Sequence, residues 1–138
     1  MKTGYIKIVQ TEGKTPSIEA RLVNGNLWMD KYDIAQFFNV FPHKIEMNLR
    51  SIFKNRLLTE DEVSYTHRYT DKGIEKQCVF YNLEVLIFLS YRIGTFEAEI
   101  FRQFLHSTLR EHLQKRETQK NAKLLLWHFC SNQNYLLN

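Results

Sequence analysis

The residues with the most definite chemistry are Lys44, Asn48, Ser51 and Lys54, which recur at helical spacing and would share the outward face of a helix from His43 to Arg56. An asparagine amide can match both edge atoms of adenine, and lysines beside it can neutralise phosphate, so the set suits a DNA duplex. Arg50 and Arg56 flank this face, and Glu46 is its only acid. A helix face that merely keeps a protein soluble would have the same composition. A second basic group, Arg68, Lys72 and Lys76, surrounds the turn Asp71-Lys72-Gly73. On a β-ribbon these residues would meet phosphate without reading bases, the alternative being a purely structural hairpin.

Other chemistry finds little to work with. There is no Gly-x-Ser-x-Gly elbow, no Gly-x-x-x-x-Gly-Lys phosphate loop and no His-Glu-x-x-His helix. His128 and Cys130 stand two apart and could share a metal, but no second pair at ligand spacing accompanies them. His43, His67, His106 and His112 are scattered, without a carboxylate pair in an acid–base arrangement. A protein that is not an enzyme, with no catalytic residues, cofactor or metal, is the expectation.

The elements that must position the basic groups are legible from local signals. Asp30 is a good N-cap for a first helix reaching Phe38, Asn39 tolerates the left-handed conformation that ends it, and Pro42 suits the start of the next. In that second helix Ile45, Leu49, Ile52 and Phe53 form the inward stripe. Before the pair, Tyr5 to Val9 and Ile18 to Val23 read as strands, and Asn24-Gly25 closes a further hairpin onto Leu27-Trp28-Met29. Ile18, Ala20 and Leu22 should be the packed face of that sheet. After the pair, Glu62 to Thr70 alternates and turns through Gly73 into Ile74 to Tyr81. Asn82 caps a helix from Leu83 to Ile93, apolar nearly all round and therefore central. Gly94 ends it, and a last helix runs from Thr95 to about Thr118 with the stripe Ile100, Phe101, Phe104, Leu105, Leu109 and Leu113. That stripe could complete the core or pair with a second copy. The apolar run Leu124 to Trp127 could join such a pairing or fold back over the stripe.

A chain of 138 residues that is 43% hydrophobic supports one domain with a core. The net charge of +4 permits a nucleic-acid partner without requiring one. Two cysteines without framework spacing and no apolar leader imply a reduced, cytoplasmic protein. No run approaches the roughly 20 apolar residues of a membrane span.

Several blocks in order resemble the RhuM-type virulence-protein family of bacteria, whose members often lie near mobile elements. They include Ile8-Val9-Gln10-Thr11-Glu12, Ile18-Glu19-Ala20-Arg21-Leu22, Ala35-Gln36-Phe37-Phe38, Tyr81-Asn82-Leu83-Glu84, Tyr91-Arg92-Ile93 and Phe101-Arg102-Gln103-Phe104. The resemblance covers about residues 5 to 114 and implies a domain similar in plan to phage antirepressor N-terminal domains, binding DNA in transcription regulation. The chain departs from the family at Phe41-Pro42-His43-Lys44, where a small polar run is usual, and at the acidic Phe96-Glu97-Ala98-Glu99.

The expected architecture is α+β: an N-terminal β-hairpin sheet, a helix-turn-helix-like pair with a β-ribbon wing, and C-terminal helices. Residues 1–118 would form the winged helix-turn-helix-type domain and 119–138 a helical extension. The expected partner is DNA, with a homodimer through the C-terminal helices possible and no membrane. A protein-interaction or oligomerisation module of antirepressor type is the alternative function.

Overall fold

Asp30 begins the first helix by a local bond: its carboxylate accepts from the backbone N–H of Asp33 at 2.8 Å, satisfying one of the donors a helix start leaves open. The helix α1, Lys31–Phe38, stops at Asn39, whose φ of 56° is left-handed. Asn39 N–H then reaches the carbonyl of Gln36 and Val40 N–H that of Ala35, a Schellman closure. Pro42 opens α2, Pro42–Lys54, where its missing N–H costs nothing. In the computed structural model, which describes the backbone of residues 3–136 and side chains of residues 3–131, these two helices sit in an α+β fold. Residues 137 and 138, the end of the expected extension, lie outside the described residues.

Two sheets accompany the helices. β1, Tyr5–Val9, and β2, Ser17–Arg21, pair antiparallel as a two-stranded sheet. β3, Trp28–Asp30, β4, Ser64–Asp71, and β5, Ile74–Asn82, form the second in the order β3-β5-β4. The expected hairpin through Asn24-Gly25 shrinks to a bridge between Val23 and Asn26. Both turn residues have the expected positive φ, but the chain after them is recruited elsewhere. Asn26 Oδ1 accepts from the N–H groups of Leu27 and Leu83, which delivers β3 to the side of β5. Leu27 is fully buried there. The expected packed face of β2 is also corrected: Ile18 is half-buried, while Ala20 and Leu22 are exposed. A two-stranded sheet with alternating residues needs no buried second face if nothing lies over it.

The ribbon begins later than its alternation suggested, because Glu60–Val63 forms a helical turn, α3, and buries Val63. Lys72 and Gly73, with φ of 52° and 76°, make the two-residue turn that β4 and β5 require. Asn82 caps α4, Leu83–Ser90, by accepting from Val85 N–H. This helix is shorter than expected, ending before Tyr91 rather than at Ile93, and Val85, Leu86, Leu89 and Ser90 are its buried residues. Arg102 closes its C-terminus by donating to the carbonyls of Ser90 and Ile93.

The last helix, α5, is Phe96–Leu136, well beyond the expected Thr118. Thr95 accepts from Ala98 N–H and donates to the carbonyl of Phe38 at 2.7 Å, tying the start of α5 to the end of α1. The chain forms two compact units, Met1–Phe104 and Leu105–Asn138. In the first, Phe101 is fully buried with its ring edge-on to Phe37 and Phe38. In the second, Leu109 and Leu113 are exposed at 58% and 52%, so the expected stripe is not continuous core. Leu124 to Trp127 belong to α5 and are exposed.

Candidate nucleic-acid interface

The inward stripe of α2 is as the sequence implied, with Ile45, Leu49 and Ile52 buried and Phe53 stacked on Tyr81. That packing fixes which residues face out. Its C-terminus differs: Asn55 is the cap, and Arg56 lies past the helix at φ 56°. Arg56 N–H reaches the carbonyl of Phe53 and Leu57 N–H that of Ile52, so α2 closes as α1 does.

Charge on the outer face is more one-sided than composition alone suggests. Glu46, the only acid, is hydrogen-bonded to Lys31, which holds its carboxyl below the ordinary carboxylate range and the lysine above its own. Among the described residues Lys44, Arg50 and Lys54 have no carboxylate at salt-bridge distance. Their charge is left to solvent or to a ligand.

Asn48 and Ser51 are held by a residue that sequence reasoning did not single out. Arg92, just after α4, donates from Nε to Asn48 Oδ1 at 3.1 Å and from Nη2 to Ser51 Oγ at 2.7 Å. Asn48 Nδ2 meanwhile donates to the carbonyl of Lys44 at 2.8 Å. Both ends of the Asn48 amide are thus engaged, and bidentate recognition of adenine by it would first require Arg92 to let go. The same contacts lay a guanidinium across the face and add a cation to it. Its only signal in the sequence was a basic residue at the end of α4, where the helix dipole favours one.

The ribbon does not gather its cations. Arg68 lies opposite Gln77, and Tyr69 opposite Lys76, so Arg68 and Lys76 point to opposite faces. Lys76 is ion-paired with Asp71 at 2.9 Å, a departure from the free phosphate contact expected of it. Arg68 shares its face with Val79 and Tyr81, the side against which Phe53 of α2 packs. Lys54, Arg50 and Gln77 line one cleft of about 900 Å³ between α2 and that side. Lys72 stands exposed at the tip. The structure therefore associates Lys44, Asn48 and Ser51 with Arg92, sets Lys54 on the cleft beside α2, and leaves Arg68 and Lys76 on opposite faces of the ribbon.

Cys78 is half-buried on β5, its thiol pushed up by burial and by Asp30, to which its Sγ donates at 3.8 Å, so it is a poor nucleophile. Among the described residues no group of three or more His, Cys, Asp or Glu could hold a metal, and no helix is long and apolar enough to cross a membrane. No protein-family model, no curated protein and no solved structure matches this chain.

Proposed function

We propose that the unit Met1–Phe104 binds duplex DNA through the outer face of α2, in transcription regulation of the kind the RhuM resemblance implies. The observation that carries this reading is the unbalanced charge of that face. Its one acid is internally paired, Lys44, Arg50 and Lys54 have no acidic partner among the described residues, and Arg92 adds a guanidinium. Thirteen residues of helix extend about 20 Å, and a helix with a cationic side fits a major groove about 12 Å wide. Lys44, Lys54 and Arg92 would contact phosphate, with Arg68 and Lys72 contributing from the ribbon. Asn48 and Ser51 would orient Arg92, and base reading would follow only if that contact opens. Selection from random duplexes at two salt concentrations tests this. Recovery of a shared site, with affinity falling steeply as salt rises, supports it, whereas flat affinity and no enriched sequence would refute it.

A second reading, self-association, is favoured by the exposed apolar residues Leu109, Leu113 and Leu124 to Trp127. A doubled mass in light scattering that Leu109→Glu returns to 16.6 kDa supports it, and a monomer throughout the micromolar range overturns it.

A further inference from the structure

The two-stranded sheet leaves β1 with a neighbour on one edge only. A strand so placed turns every second N–H and C=O to its open side, where they need partners. Among the described residues no backbone bond from Tyr5–Val9 reaches outside the β1–β2 ladder. At one end the open edge is met once, where Trp28 N–H donates to the carbonyl of Thr3 at 2.8 Å. Beyond that bond β1 and β3 do not pair, and a cleft of about 600 Å³ opens. This volume falls among those of ligand clefts, about 300–1,000 Å³.

The lining identifies which part of β1 faces the cleft. Consecutive residues, Gly4 through Ile8, all border it, and no residue of β2 does. Side chains alternate between the faces of a strand, so a cleft lying over one face would touch every second residue. Contact with both parities and with none of the paired neighbour is the signature of the open backbone edge.

The opposite wall comes from two helices. Phe37 on α1 and Ile100 on α5 are buried at its floor, and Phe96 is exposed at its rim. Asp33 and Glu97 supply two carboxylates without an ion-pair partner among the described residues. Burial, then the nearby Asp30, raises the carboxyl of Asp33 above its ordinary value, so a cation placed beside it would relieve that cost. Lys7 also borders the cleft but lies 3.7 Å from Glu19 on β2.

We propose that this cleft is a docking site for an extended peptide segment of a partner protein, which adds as a strand to the open edge of β1 and presents a lysine or arginine to Asp33 and Glu97. Main-chain bonds to β1 give affinity, the apolar floor takes one side chain, and the carboxylates select a basic one. This surface is separate from the outer face of α2 and does not depend on the DNA reading.

The probe is an acetylated, amidated heptapeptide alternating valine and lysine, titrated into the full chain and followed by backbone amide shifts and hydrogen exchange. Shifts at residues 4–8, with new exchange protection of β1 amides, are the expected result. The same peptide N-methylated at alternate residues should bind at least about tenfold more weakly, since its donors to β1 are gone. A glutamate-for-lysine peptide should fail, and Asp33→Asn with Glu97→Gln should weaken the parent peptide by about tenfold. Equal binding of the N-methylated peptide would overturn strand addition in favour of an ordinary apolar cleft. No shift at residues 4–8 at millimolar peptide would overturn the site itself. The ligand-side control remains decisive even if the double variant does not fold.

Discussion

Replacing Arg92 separates two things its guanidinium does. In Arg92→Met the apolar stem stays while the bonds to Asn48 Oδ1 and Ser51 Oγ are lost. Hydrogen bonds to charged groups are worth about 1.5–3 kcal/mol when well protected. Arg92 is exposed, so solvent and salt reduce the two together to about 0.5–1.5 kcal/mol. Urea unfolding followed by Trp28 fluorescence, in a Trp127→Phe background, measures this loss. A cycle with Asn48→Ala should give a coupling of about 0.5 kcal/mol or more. If Arg92 also meets phosphate, the methionine variant should lower the slope of log affinity against log salt by about 0.9. Arg92→Lys makes the distinction sharp, because a point charge restores the salt slope but cannot span both acceptors, so stability should recover by less than half. An Arg92→Met variant with unchanged stability and no coupling to Asn48 would refute the clamp. Unchanged salt slope with lost stability would leave the clamp and remove Arg92 from the DNA contact.

Arg56→Gly should stabilise the protein by about 0.5–1 kcal/mol, because glycine adopts the left-handed closure of α2 without steric cost; a lower urea midpoint would contradict this. Phe101→Ala should cost about 3–5 kcal/mol by emptying the space between Phe37 and Phe38, read as a large fall in melting temperature. The Glu46 carboxyl is lowered by its bond to Lys31, so the stability it contributes is present above the ordinary glutamate range and is lost as pH falls through its folded value. Carbon-detected titration of Glu46 should therefore give a midpoint below that range, moved upward by Lys31→Met, and an unmoved midpoint would exclude the pair in solution.

What the sequence by itself determined is what a few neighbouring residues can enforce. Asp30 caps α1 through a bond three residues away, Asn39 can adopt the φ that ends it, Pro42 has no N–H to lose at the start of α2, and Lys72-Gly73 accepts the turn of the ribbon. The stripe of Ile45, Leu49 and Ile52 likewise set the inward side of α2, because helical periodicity is local. Tertiary structure decided where competing partners exist. After Asn24-Gly25 the chain had a turn suited to a hairpin, yet Asn26 bonds to Leu83 and β3 goes to β5, a choice made 57 residues away. The alternation of Ile18, Ala20 and Leu22 marked a possible packed face, but burial requires something to lie over it. At the candidate interface, spacing brought Lys44, Asn48, Ser51 and Lys54 to one side of a helix. The separation of Arg68 from Lys76 across the ribbon depends on register, and the engagement of Asn48 by Arg92 joins residues 44 apart. Periodicity along a chain fixes which way a side chain points; only the packed fold fixes what it meets.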